Sequence, residues 1–196
     1  MTDAGGGARS AGGAESTAGT GESVAPLYAD WAKYRARIVD GIRGLTEADL
    51  ALRGAPDHWP IWAIAAHVAG ARIYWLCGVF GEPGAESTPF PDPFAELGWE
   101  DDLDSPRSAT EIVEALESTS RVIDSCLARW TPAILHEAFP RDVGASRPQM
   151  HTRQSVLLRL ITHDAFHAGE IALTLGMHGR PILDLWPPLR PEPPGP

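Results

Sequence analysis

Two histidines four positions apart are the residues of this sequence that look most like a site of chemistry. His163 and His167 lie in the segment from Thr162 to Glu170, inside a long apolar stretch. On an α-helix, residues four apart differ by about 40° around the axis and by one turn along it, so both imidazoles lie on one stripe. A buried imidazole needs a partner for each ring nitrogen, and a metal ion supplies one such partner. The spacing therefore predicts a metal-binding pair.

A third histidine, His67, lies in another apolar segment, between Ala66 and Val68. Three neutral nitrogen ligands would leave open coordination positions on zinc, nickel or ferrous iron, which is typical of catalytic metal sites. Such a metal can lower the pKa of a bound water or thiol and can polarise an electrophilic oxygen. The alternative at this point is that all three histidines are hydrogen-bonded core residues without a metal.

Two acidic residues accompany the histidine pair. Glu170 follows His163 by seven positions and returns to within about 20° of it on a helix. Three roles are open to it. We favour a hydrogen-bond acceptor for the ring nitrogen of a histidine that does not bind the metal; the alternatives are a fourth metal ligand and a catalytic base. Asp164 points about 100° away from His163, which favours a salt bridge or hydrogen bond to a neighbouring helix. The other histidines adjoin turns or irregular segments, and surface or capping roles are expected for His58, His136, His151 and His178.

Four long helices are predicted to position these residues. Apolar periodicity predicts helices over residues 28–45, 61–79, 109–130 and 154–176. The third begins at a capping box, Ser108-Ala-Thr-Glu111, and the second is apolar nearly all round, so it should be central. No segment predicts a β-sheet. The sequence thus predicts an all-α fold with connections long enough to leave the threading of the helices open.

The connection over residues 81–105 is unusual because it carries eight acidic residues and no basic residue. It is rich in proline and glycine and lacks periodicity, so we expect a long surface segment. A solvated loop is the first interpretation, and a lid or rim over a site is the second.

Composition excludes several classes of function. The chain has 196 residues, with 26 acidic and 16 basic side chains and a net charge of −10. This charge gives no electrostatic reason to bind nucleic acid or anionic lipid. Two cysteines indicate neither a disulfide framework nor a cysteine-rich zinc site, so a reducing cytoplasm fits best.

Both termini are predicted to be tails. Residues 1–22 contain no apolar run that could serve in a signal peptide, and they are expected to be disordered. Six of the ten residues over 187–196 are proline, which predicts an extended tail. The apolar stretch 61–80 contains Arg72 and is bracketed by Pro60 and Gly81, so we expect a buried helix rather than a membrane span.

These motifs together resemble the DinB/YfiT-like superfamily of metalloenzymes. The resemblance extends over residues 26–186 and rests on four elements, which are Trp59-Pro-Ile-Trp62 before His67, His163-Asp-Ala-Phe-His167-Ala-Gly-Glu170-Ile171, Leu175-Gly-Met-His-Gly179 and Asp184-Leu-Trp186. It implies a DinB-like four-helix bundle over residues 23–186. It also implies a metal site made by His67, His163 and His167, with zinc expected first and nickel or iron as alternatives.

The same resemblance implies an activity. Members of the superfamily include thiol-dependent transferases and isomerases that use mycothiol or bacillithiol. The chain has a single lysine, Lys33, and is rich in Ala, Gly, Pro and Arg, which suggests a GC-rich genome and makes mycothiol the expected cosubstrate. The expected function is a mycothiol-type S-transferase or isomerase acting on a small electrophile, as a homodimer. The alternative is a non-catalytic, metal-stabilised stress or binding protein. Relatives often have glutamine where this chain has Glu170.

Overall fold

The computed structural model describes residues 21–186. The predicted N-terminal tail, residues 1–22, lies outside the described residues except for Gly21 and Glu22, which are exposed. The predicted proline-rich tail, residues 187–196, lies wholly outside them.

The described chain is mostly helical. Its α-helices are α1 (Ala29–Arg43), α2 (Glu47–Leu50), α3 (Ile61–Ile73), α4 (Ala109–Arg129) and α5 (Arg153–Met177). The four long ones, α1, α3, α4 and α5, correspond to the four predicted helices. The second is shorter as an α-helix than expected, because the chain from Tyr74 to Val79 continues it as a π-helix.

Side-chain caps fix where two of the long helices begin. The Ser108 hydroxyl accepts a hydrogen bond from the Glu111 backbone N–H, and the Glu111 carboxylate accepts one from the Ser108 N–H at 2.9 Å. This is the capping box predicted for α4. Thr152 caps α5 in the same way, since its hydroxyl accepts from the Ser155 N–H at 3.1 Å.

The helix α3 lies at the centre of the molecule. Nearly all its residues are buried, and it packs against both α4 and α5, while α1 packs mainly against α4. Its apolar surface therefore faces helices on several sides, as a helix apolar all round should. Among residues 21–186 no helix is both long and apolar enough to cross a bilayer.

A small antiparallel hairpin precedes α5. Strand β1 (Ala138–Arg141) pairs with β2 (Gln149–Thr152), with Ala138 opposite Thr152 and Arg141 opposite Gln149. The prediction of no β-structure is wrong for this segment. Each strand has only four residues; β1 alternates between exposed and half-buried side chains without a fully buried one, and β2 does not alternate, so the period of two is too short and weak to reveal a strand.

The hairpin also changes the expected place of one histidine. His151 lies in β2, and its ring packs against Trp75 with a centroid separation of 4.8 Å. It is partly buried, unlike His58, His136 and His178, which are exposed as predicted. His178 ends α5 and its Nε2 lies 3.1 Å from the Arg53 carbonyl oxygen.

Candidate metal centre

The three predicted histidines converge. His67 extends from α3, and His163 and His167 extend from adjacent turns of α5. One donor nitrogen from each ring lies within 4.8 Å of the others, and the Nε2 atoms of His67 and His163 are 3.1 Å apart. We call these three residues the histidine triad.

Two of the imidazoles are hydrogen-bonded to carboxylates through the nitrogen that does not face the other rings. The Nδ1 atom of His67 lies 2.7 Å from Oε1 of Glu100, and the Nδ1 atom of His167 lies 2.9 Å from Oε2 of Glu170. An ionised carboxylate only accepts hydrogen bonds, so each Nδ1 carries the proton and each Nε2 keeps its lone pair. Carboxylate–histidine pairs of this kind orient the ligands of metal sites.

His163 has a different environment. Its Nδ1 atom is buried and has no hydrogen-bond partner among residues 21–186, and its Nε2 atom faces only the corresponding atom of His67. Nε2 is therefore the nitrogen of His163 that could bind an ion together with His67. Two nitrogens bound at 2.0–2.1 Å to one ion lie about 2.9–3.4 Å apart. The observed 3.1 Å agrees with that spacing, so the three histidines could hold a metal ion.

The electrostatic environment favours the neutral form of His163 and His167. Burial, followed by the neighbouring charges of His167 and His67, lowers the pKa of His163 to about 3. Burial also lowers the pKa of His167, although its hydrogen bond to Glu170 opposes the shift. Neutral imidazole is the form that binds metals, so these residues need not lose a proton near pH 7 to act as ligands.

A buried ion cluster adjoins the triad, since it contains Asp164, the residue after His163. Arg72 of α3 and Asp164 of α5 form a salt bridge with Nη2 and Oδ2 2.9 Å apart, and Trp31 Nε1 of α1 donates to the same oxygen at 2.9 Å. Arg72 Nη1 also donates to the Leu116 carbonyl of α4 at 3.2 Å. The predicted bond from Asp164 to a neighbouring helix is confirmed. Since Asp164 follows His163, the cluster fixes α5 against α3 at the height of the triad.

A cavity of about 640 Å³ opens beside the triad, and His67 and His163 line it. Part of its wall is the acidic connection, which contributes Phe90, Trp99 and Glu100. The second interpretation of that connection, a rim over a site, therefore describes its residues 89–101. Most of its other carboxylates are exposed, as the first interpretation expected.

Several residues around the site were not predicted from the sequence. Glu100 is one of eight acidic residues over residues 81–105, and its spacing in the sequence does not distinguish it from the other seven. The ring centroid of Trp59 lies 5.1 Å from that of His67. The sequence indicated Trp59 only as part of the Trp59–Trp62 element of the family resemblance, without a place at the site. Arg159, which lines the cavity, precedes His163 by four positions, so helical spacing could have placed it on the stripe of the triad.

Comparison with known proteins identifies the family of this chain. The sequence model of the DinB superfamily matches residues 20–171, which include all three histidines and Glu170. The chain therefore belongs to the DinB superfamily.

A solved structure supports the fold independently. A DinB-like protein from Bacillus cereus is 19% identical and superposes with a TM-score of 0.62, covering 82% of this chain and 96% of the other. At this identity the similarity concerns the fold alone. No curated protein matches the sequence.

Proposed function

We propose that the histidine triad binds one divalent metal and that the protein is a thiol-dependent transferase. Residues 23–186 would form one DinB-type four-helix bundle, with α1, α3, α4 and α5 as its helices. Zinc is the expected metal, with nickel or ferrous iron as alternatives, because three imidazoles suit all three. The observation that carries the proposal is the cavity of about 640 Å³ lined by His67 and His163, which gives a small molecule access to the metal position.

A metal held by His67, His163 and His167 would lower the pKa of a thiol and so would supply a thiolate at neutral pH. In such a transfer the thiol sulfur forms a bond to an electrophilic carbon of the substrate. The leaving group departs from that carbon with its electron pair, and the thiol proton passes to solvent. Mycothiol is the proposed thiol, by the family resemblance and the composition of the chain.

The protein residues have distinct parts in this proposal. Glu100 and Glu170 hold the Nδ1 protons of His67 and His167, so that each Nε2 faces the metal position. We assign Glu170 to this orienting role rather than to that of a base. A base must reach the substrate, and Glu170 is not among the residues that line the cavity. Phe90 and Trp99 pack together with ring centroids 5.0 Å apart and give the cavity an apolar part of its wall.

Activity is the direct test. Purified protein should carry one metal per chain and conjugate mycothiol to an electrophile in a screen of small alkylating substrates. His167→Ala should lose the activity because it removes one ligand, while His136→Ala, which alters an exposed histidine, should keep it. Full activity in His167→Ala would contradict the proposal.

The alternative is a non-catalytic protein in which the metal serves stability. The observation in its favour is that the triad joins α3 to α5, so that a bound ion would cross-link two helices. In that case a chelator would lower the melting temperature, while no pair of thiol and electrophile would turn over. The homodimer and the cytoplasmic location remain predictions.

A further inference from the structure

Two arginines lie together on one wall of the cavity. Arg141 of β1 and Arg159 of α5 both line it, and both pack over Trp75, with Cζ atoms 5.2 and 4.9 Å from the centroid of its ring. The ring of His151 packs against the same tryptophan. Three basic groups therefore surround one aromatic side chain at this end of the cavity.

Neither arginine has carboxylate partners like those of the buried Arg72 and Arg153. Arg72 pairs with Asp164, and Arg153 pairs with Glu82 and Glu137. By contrast, no carboxylate of residues 21–186 lies within 4.0 Å of either Arg141 or Arg159. Burial and then the charges of Arg159 and Arg141 lower the pKa of His151, as expected where positive charges face one another. In a chain of net charge −10, such a cluster indicates a place for an anion.

Donor atoms remain available on both guanidinium groups. Arg141 Nε donates to the Tyr74 hydroxyl at 2.6 Å and its Nη1 donates to Gln149 at 3.3 Å, which orients the group and leaves Nη2 without a partner among the described residues. Arg159 makes no side-chain hydrogen bond within residues 21–186 and is held by its stacking on Trp75. Guanidinium donors in this arrangement suit the planar carboxylate group.

Another part of the cavity lining carries negative charge. Asp92, Glu96 and Asp101 of the acidic connection also line the cavity and are exposed at its rim. Asp92 accepts from the Phe94 N–H, and Asp101 accepts from the Gly98 N–H, so both are held in place. An anion is therefore attracted to the arginine wall and repelled by the rim, which orients a molecule that carries one negative group. A ligand of higher negative charge would meet more repulsion at the rim.

We propose that this cavity binds a small organic carboxylate, whose carboxylate group lies on Arg141 and Arg159. Because Arg159 precedes His163 by one helical turn, about 6 Å along α5, the rest of the molecule extends towards the histidine triad. This inference rests on the proposed function for the role of the ligand. The electrophile of the transferase is a carboxylic acid whose reacting carbon lies about one helical turn from its carboxylate.

A pair of isosteric probes tests the proposal. 4-Fluorobenzoate carries the carboxylate, whereas 4-fluorobenzamide is neutral and nearly the same shape, and ¹⁹F NMR titration of the protein as purified gives a Kd for each. We expect the benzoate to bind about tenfold or more tightly than the amide, since bonds to charged groups are stronger than neutral ones. Equal affinities would overturn the proposal.

Variants identify the residues responsible. Arg159→Gln changes an exposed side chain without hydrogen-bond partners among residues 21–186, so the fold should tolerate it. It should reduce benzoate affinity to about that of the amide, and Arg159→Lys should keep part of the preference. Arg121→Gln alters an exposed arginine of α4 away from this cavity and should change nothing. Benzoate binding that is unaffected by Arg159→Gln would place the carboxylate elsewhere, including on a metal, and would overturn the proposal.

Metal analysis of the same samples separates this inference from the proposed function. Stoichiometric metal together with equal affinity for both probes would contradict the carboxylate site alone. A preference for benzoate that depends on Arg159, in protein without metal, would support the carboxylate site and contradict the proposed function.

Discussion

Two polar clusters adjoin one another in this protein, and they differ in how completely their hydrogen bonds are made. In the ion cluster, Asp164 accepts from both Trp31 and Arg72, and Arg72 also donates to the Leu116 carbonyl. In the histidine triad, which includes the residue before Asp164, the Nε2 atoms of His67 and His163 lie 3.1 Å apart and have no other hydrogen-bond partner among the described residues. A cluster whose members satisfy one another needs nothing further, whereas an incomplete one is suited to an external ligand.

The two clusters also differ in burial, and the cluster with complete hydrogen bonds is the more buried one. Arg72 and Asp164 are 1% and 3% exposed and are enclosed by α1, α3, α4 and α5. The triad lies at the edge of the core, where His67 and His163 open onto the cavity. We therefore assign the ion cluster to stability and the triad to binding.

Removal of Asp164 should have the largest effect on stability. Asp164→Ala leaves the Arg72 guanidinium buried without its counter-ion, and loss of one partner of a buried pair costs about 3–5 kcal/mol. Urea unfolding at pH 7 measures this loss. Asp30→Ala, which removes an exposed partner of Lys33, should destabilise far less. A loss for Asp164→Ala as small as that of the control would remove the contrast between the two clusters.

Metal removal should have the next largest effect. A ligand that binds only the folded state stabilises it by about 2.7 kcal/mol at 100 times its Kd, which for a chain of this size is about 5–10 °C in melting temperature. A chelator should lower the melting temperature of the wild type by about this amount, as followed by calorimetry. The chelator should not affect His163→Ala. An equal shift in both proteins would mean that any metal lies elsewhere.

The carboxylates behind the triad should have a moderate effect on metal affinity. Glu100→Gln and Glu170→Gln weaken the acceptors of the Nδ1 protons of His67 and His167, and such changes typically cost about 10–100-fold in affinity. Competition with a chelating indicator measures the Kd. Asp102→Asn, an exposed change in the same connection as Glu100, serves as the control. If both glutamine variants bind metal as tightly as the control, the carboxylates do not support the ligands.

The pH dependence of stability should be the smallest effect. The folded pKa of His163 is about 3, so below its ordinary value of 6.5 the unfolded chain takes up a proton that the folded chain does not. Stability should therefore fall as pH falls from about 6.5 towards 3. Between pH 7.5 and 5.5 the metal-free wild type should lose about 1 kcal/mol more than His163→Gln in urea unfolding. Parallel curves for the two proteins would contradict the assigned environment of His163.

The sequence predicted the long helices well because their signals are local. The Ser108–Glu111 capping box marks the start of α4, and the apolar character of α3 indicated its central place. The spacing of His163 and His167 is also a local signal, and it predicted that both side chains lie on one face of α5. Bringing His67 to them required the packing of α3 against α5, which the resemblance implied and local spacing alone did not.

The residues that sequence analysis missed depend on contacts between distant segments. Glu100 reaches His67 across 33 positions from a connection without periodicity. Arg141 reaches the cavity because a hairpin that was not predicted packs beside Tyr74. Neither contact leaves a repeating pattern in the chain, so composition and spacing could not reveal it.

Metal stoichiometry tests the central claim most directly. We predict about one divalent ion per chain in the purified wild type by elemental analysis, and its loss in each of His67→Ala, His163→Ala and His167→Ala. His58→Ala, which changes an exposed histidine, should keep the ion. A folded wild-type protein without metal after exposure to zinc, nickel and ferrous iron, or stoichiometric metal in all three triad variants, would contradict the account.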